Sequence, residues 1–130
     1  MSNQCQNLNV KSNVKYDLAE RTGRFGEEII QFVTSLPRDV INFPLIGQLV
    51  KSGTSIGANY MEADGAESKK DFKHKIGICK KEAKETTHWL RMIANANPNK
   101  KEQCRKLWQE AHELVLIFSK IINSSKQLNK

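Results

Sequence analysis

The stretch Gln48-Leu-Val-Lys-Ser-Gly-Thr-Ser-Ile-Gly-Ala-Asn-Tyr-Met-Glu-Ala63 decides the fold. Leu49, Ser52, Ile56, Asn59 and Ala63 recur in it at steps of three and four, the period of one face of an α-helix. Ser52, Gly53, Thr54, Ser55, Gly57 and Ala58 crowd small residues into a turn and a half of that helix. Glycine is about 1 kcal/mol worse than alanine in a helix interior, so a helix that keeps Gly53 and Gly57 is expected to gain by letting another backbone approach. No strand pattern precedes the stretch, which removes a phosphate-cradling loop as the reason for its glycines. Ser52, Gly53, Gly57 and Asn59 are therefore read as structural packing residues at the centre of a helical bundle. Ser52 and Asn59 point inward in this reading and need partners, because an unpaired buried amide costs about 1–3 kcal/mol. A hydrogen bond across the bundle that fixes helix register is the expected solution.

The same spacing runs outward in both directions. Upstream, Leu18, Thr22, Phe25, Ile29, Phe32 and Leu36 make one face of a helix over about residues 17–36, with Asp17 and Glu20 spaced as a capping pair and Pro37 as the stop. Residues 37–44, Pro-Arg-Asp-Val-Ile-Asn-Phe-Pro, are expected to form the connection, since Pro44 disfavours helix at Phe43 and suits a first helical turn. The second helix then covers about 44–64, beginning its stripe at Leu45, and Gly65 supplies the C-cap. Ser68 and Asp71 open a third helix over about 69–95 with Phe72, Ile76, Cys79, Ala83, Thr86, Leu90 and Ile93 inward. Asn97-Pro98 caps and starts a fourth over about 98–126, with Cys104, Leu107, Ala111, Leu114, Phe118, Ile121, Ser125 and Leu128 inward. Four helices joined by short loops predict an all-α, antiparallel up-and-down four-helix bundle over residues 16–128, behind a flexible polar tail at 1–15.

Composition agrees with one globular domain: 130 residues, 38% apolar and 27% charged. No apolar run reaches the roughly 20 residues of a membrane span, and the polar start has no signal-peptide core, so a cytoplasmic protein without membrane contact is expected. Cys5, Cys79 and Cys104 form no CxxC pair and are odd in number, which argues against a disulfide framework or a zinc ribbon. Cys79 and Cys104 read as small core residues, and Cys5 lies in the tail. No metal or other cofactor is expected.

The net charge of +7 is uneven: residues 1–65 hold six basic and seven acidic groups, residues 66–130 fifteen and seven. On the third helix Lys70, Lys73, Lys80, Lys84 and Arg91 share a face, and Lys81 sits beside it. Aligned cations in the basic half of a chain are a footprint for a phosphate backbone, so these six residues are the candidate nucleic-acid-binding set for RNA or DNA. A solvated helix face relieved by Glu82 and Glu85 is the plainer explanation for such a run. The flanks carry surplus apolar residues: Ile78, Trp89 and Met92 on the third helix, and Trp108, Val115, Leu116, Ile117 and Ile122 on the fourth. A monomeric bundle buries one face per helix, so these eight predict an oligomer interface.

Catalytic readings fare worse. Glu85-Thr-Thr-His88 matches one Glu-x-x-His element of a di-iron bundle, but such sites need two plus further inward glutamates. His74 and His88 lie roughly 20 Å apart along one helix and cannot share a metal. Arg105 and His112 are two turns apart on one face and look like the Arg-x4-6-His element of HEPN-type ribonucleases, although Lys106 stands where that family usually has a small polar residue. No Ser/His/Asp or Cys/His set can be assembled. A non-enzymatic protein is expected, with a protein–protein adaptor and, behind it, a ribonuclease as alternatives to nucleic-acid binding.

Gln48 to Ala63, followed by Ala66-Glu-Ser-Lys-Lys-Asp-Phe72, His74-Lys-Ile-Gly77, Lys81-Glu-Ala83 and Trp89-Leu90, resembles the four helix bundle protein family first noticed as the product of intervening sequences in bacterial large-subunit ribosomal RNA genes. The resemblance covers about residues 16–125, and the Ser-Gly-Thr-Ser-Ile-Gly-Ala-Asn string is specific to it. Members usually carry arginine where Lys51 stands. The resemblance implies a homopentamer and kinship to the accessory variability protein of diversity-generating retroelements, a basic pentamer that binds nucleic acid and a reverse transcriptase. It implies no enzymatic activity, and most members have no assigned role.

Overall fold

The computed structural model describes residues 18–128, with side chains through Ser124. The expected tail, Cys5, the Asp17 cap and the inward placement of Ser125 and Leu128 lie outside the described residues. Four helices follow one another: α1 (Leu18–Thr34), α2 (Asn42–Asp64), α3 (Lys69–Ala96) and, after a 3-10 turn at Pro98–Lys100, α4 (Lys101–Leu128). Short connections reverse the chain each time, and the described residues hold no strand. The fold is an all-α four-helix bundle in which α1 packs mainly on α2, α2 on α3 and α3 on α4.

The four-three stripes are its inner faces. Phe25, Ile29, Leu49, Ile56, Ile76, Leu90, Ile93, Leu114 and Phe118 are all but sealed from solvent. Each such side chain contributes about 1.5–3 kcal/mol by leaving water, which outweighs the weak helix propensity of the glycines. Leu45, Asn59, Phe72, Leu107 and Ile121 are half-buried at the ends and edges of the same stripes.

The first connection lies two residues earlier than the prolines suggest, between Thr34 and Asn42. The Asp39 carboxylate accepts from the backbone N–H of Ile41 (3.1 Å) and of Asn42 (2.8 Å), and Phe43 N–H donates to the Asp39 carbonyl at 3.0 Å. Asp39 thus closes the first turn before Pro44 arrives, and these bonds hold Phe43 in helix against the bias imposed by the following proline. The helix begins at Asn42, not at 44, and Asn42 becomes part of the core. At the second connection Gly65 ends α2 with φ −97°, a right-handed conformation open to any residue, and Ser68 Oγ accepts from Asp71 N–H at 3.0 Å to start α3.

Asn97 does not cap the helix after it; its side chain turns inward instead. Asn97 Nδ2 donates to Asn42 Oδ1 (2.7 Å) and lies 2.9 Å from the Ile93 carbonyl, while Asn42 Nδ2 donates to Asn97 Oδ1 (3.1 Å). Asn42 and Asn97 keep only 2% and 5% of their surface exposed. This reciprocal amide pair ties the start of α2 to the end of α3. The register-fixing amide sought at residue 59 is here: Asn59 donates to the Ser55 carbonyl of its own helix at 2.8 Å and does not cross the bundle. Ser52 does cross, with its hydroxyl 2.9 Å from Thr86 Oγ1 on α3.

Gly53 and Gly57 of α2 face α1. A Cβ at Gly57 would meet the backbone of Thr22 at 3.3 Å and of Gly23 at 3.4 Å. One at Gly53 would meet Ile29 Cγ1 at 3.0 Å, and Gly26 of α1 sits in ordinary contact range of Thr54. The two helices approach closely enough here that one wall of the contact is main chain.

Candidate nucleic-acid interface

Contacts with α2 fix how α3 is turned. Thr86 meets Ser52, Cys79 Sγ donates to the Ile56 carbonyl at 3.6 Å, and Lys75 Nζ reaches Glu62 at 2.6 Å, so this flank of α3 belongs to α2. The flank one third of a turn round, toward α4, carries Lys73, Lys80, Lys84, Thr87 and Arg91. Lys73 and Lys80 are half-buried, while Lys70, Lys81, Lys84 and Arg91 are exposed. Gly77, Lys80, Lys81, Lys84 and Glu85 line a shallow open concavity, and a Cβ at Gly77 would touch nothing within 4 Å.

Ion pairing leaves these cations free. Among the described residues, pairs form at Arg21 with Glu110 and Glu113, Arg24 with Glu20, Lys75 with Glu62 and Arg105 with Glu102. Lys70, Lys73, Lys80, Lys81, Lys84 and Arg91 enter none of them, and neither do Arg38, Lys51, Lys69, Lys100, Lys101, Lys106 and Lys120; what sets the six apart is that they share one face of one helix. The carboxylates lie elsewhere by helical phase: Asp71 and Glu82 turn toward the α2 side of α3, with Glu85 at the border of the basic face. On α4, Glu110 and Glu113 turn toward α1, where Arg21 holds Glu110 at 2.7 Å and Glu113 at 2.9 Å. The Arg21 guanidinium is held above its ordinary pKa, first by its hydrogen bond to Glu110 and against the opposing effect of burial.

The flank of α4 that turns toward α3 holds Lys101, Arg105, Trp108, His112, Val115, Ser119 and Ile122, without a carboxylate. Arg105 is bound by Glu102, which lies a turn back, Nε to Oε1 at 3.2 Å; that bond holds the Glu102 carboxyl below its usual range. His112 stacks on Trp108 with ring centroids 5.0 Å apart and planes 11° from parallel. Arg105 and His112 thus share a flank but each is engaged with a neighbour on its own helix.

The eight residues expected at an oligomer interface do not form one patch. Trp89, Val115, Ile117 and Ile122 are half-buried against the bundle's own core, and Ile78 and Met92 are half-buried as well. Large side chains on the edge of a stripe lean over and bury against the interior. Trp108 and Leu116 remain exposed. The other large apolar side chains exposed among the described residues were missed by the sequence reading and lie on the α1–α2 hairpin: Ile30, Val40, Ile41, Phe43 (68% exposed) and Met61 (70%). Between Asp39 and Glu62 the only charged residue is Lys51.

The remaining reactive groups are quiet. Burial pushes the Cys79 thiol up to about 12 and the Cys104 thiol up to about 11, so both stay protonated and unreactive at neutral pH. Among the described residues no cluster of three or more His, Cys, Asp or Glu could hold a metal ion, and no helix is long and apolar enough to cross a membrane.

Comparison with known proteins agrees with this architecture. A crystal structure of a protein of unknown function from the S23 ribosomal protein family of Bacteroides thetaiotaomicron is 30% identical, with a TM-score of 0.71 over 80% of this chain and 96% of that one. No curated protein matches. The family model described as 23S rRNA-intervening sequence protein matches residues 15–126. With nearly the whole bundle matched, the chain belongs to the 23S rRNA-intervening sequence protein family.

Proposed function

We propose that the protein is a non-enzymatic, homo-oligomeric helical module that binds RNA or DNA through the α3–α4 face. The observation that carries this is the alignment of six cations, Lys70, Lys73, Lys80, Lys81, Lys84 and Arg91, on one face of α3, where none of them enters an ion pair among the described residues. Unpaired cations on one face hold counterions that a phosphate backbone displaces, which drives binding of either nucleic acid with little regard to sequence. In this reading Arg105 and His112 are not a cleavage pair, since each is engaged with a neighbour on its own helix.

A second copy meets the α1–α2 hairpin. Two copies that each carry +7 repel least where charge is absent, and the outer side of α2 combines that lack of charge with exposed Phe43 and Met61. A pentamer is the assembly that the family resemblance implies.

One pair of variants tests both halves. Replacing Lys73, Lys80 and Lys84 by glutamine is expected to lower the slope of log affinity against log salt by about two to three and to leave the solution mass unchanged. Replacing Phe43 and Met61 by glutamate is expected to lower the solution mass. An unaltered salt slope in the lysine variant overturns the nucleic-acid half, and an unaltered mass in the other overturns the interface. Wild-type protein that carries no nucleic acid and binds none, but retains a protein partner after nuclease treatment, would be an adaptor instead.

A further inference from the structure

The chain has two tryptophans, and the bundle treats them differently. Trp89 is half-buried against the core. Trp108 keeps 40% of its surface in solvent and has His112 laid parallel beside its ring at 5.0 Å. An indole left in water forgoes the burial that makes tryptophan stabilising, and the neighbouring imidazole restricts how it can turn. Its surroundings select a class of ligand. Trp108 is on the flank of α4 that faces the unpaired cations of α3, and the antiparallel connection through residues 97–100 sets it level with the Thr87–Arg91 turn. Lys101 lies on the same flank without a paired carboxylate, and Arg105 lies there held by Glu102 from the turn before.

We propose that Trp108, steadied by His112, is a stacking platform for an unpaired nucleobase, so that the α3–α4 face takes single-stranded nucleic acid; this rests on the nucleic-acid reading above. A basic groove tracks the backbone while an aromatic ring accepts bases of any identity, because each has a π face. A base inside a duplex cannot offer that face, and duplex RNA is met through its backbone and shape. The exposed ring therefore discriminates strandedness, which the lysines alone do not.

The test compares an oligouridine strand with duplex RNA of the same length, using the full chain. Trp108→Ala is expected to weaken oligouridine binding at least about fivefold and to leave duplex binding within about twofold, while Trp108→Phe retains both. Oligouridine is expected to quench the emission of the wild type but not of Trp108→Phe, in which Trp89 is the remaining indole. Equal loss on both ligands, no loss on either, quenching that persists in Trp108→Phe, or a changed solution mass in Trp108→Ala each overturns the platform. If the lysine-to-glutamine variant still lowers the salt slope, the nucleic-acid reading survives that failure. A wild type that binds neither ligand overturns both.

Discussion

The α1–α2 hairpin and the α3–α4 hairpin present the same inner pattern and opposite outer ones. Both bury apolar residues at steps of three and four. Outside, α2 is nearly uncharged and rich in small residues, and α1 and α2 meet backbone to backbone at Gly57. The outer face of α3 is lysine-rich, and its mid-helix glycine, Gly77, meets nothing. One glycine serves the interior and the other is left over from it. The inner stripe specifies a bundle and is silent about what each hairpin shows to the outside, so two pairs of helices can share one core and divide two surface roles.

The most destructive way to break the comparison is at the close approach. Gly57→Val puts a branched side chain where even a Cβ would press on the Thr22 main chain at 3.3 Å. Main chain inside a helix has little room to yield, so a loss of about 3 kcal/mol in stability is expected from urea unfolding. Gly53→Ala is expected to be milder, because its neighbour is the Ile29 side chain. Equal costs at the two positions would mean that the helices separate freely and that the backbone contact is not what keeps Gly57.

The next effect is at the seam between the two hairpins. Asn97→Ala removes the partner of the sealed Asn42 amide and a donor to the Ile93 carbonyl. A loss of about 2 kcal/mol is expected. Adding Asn42→Ala should cost little more, since the first substitution has already left that amide with only a long 3.4 Å bond to Asp39; additive losses in this cycle would show that the two amides do not depend on each other.

These two sites also mark where the sequence was and was not legible. The period exposed the inner stripes because burial and helical pitch act together on every turn. Asn42 was hidden by Pro44, which seemed to forbid helix before it. Asp39 was the available signal: an acidic cap three residues ahead of Asn42, which then falls in phase with Leu45 and Leu49. Asn59 sits at the edge of its stripe, where its own helix offers the Ser55 carbonyl sooner than the bundle offers a partner. The cationic set was readable from helical phase alone. Its freedom from ion pairs was not, because Arg21 and Glu110 meet across 89 residues of sequence. Nor could spacing tell that Trp89 would lean onto the core while Trp108 would stay in water.

The gentlest test acts on the leftover glycine. Gly77→Ala adds a methyl group where nothing lies within 4 Å and removes backbone freedom from the unfolded chain. A gain of about 0.5–1 kcal/mol is expected in urea unfolding, opposite in sign to the change at Gly57. The position pairs that gain with Lys80, Lys81 and Lys84 around a shallow concavity. If Gly77 is kept so that a nucleic-acid backbone can come close to α3, the stabilised variant should bind oligouridine more weakly than the wild type does. A variant that gains stability and keeps full affinity would show that the lysines hold their ligand away from the helix backbone, and that the concavity is only the space between their side chains.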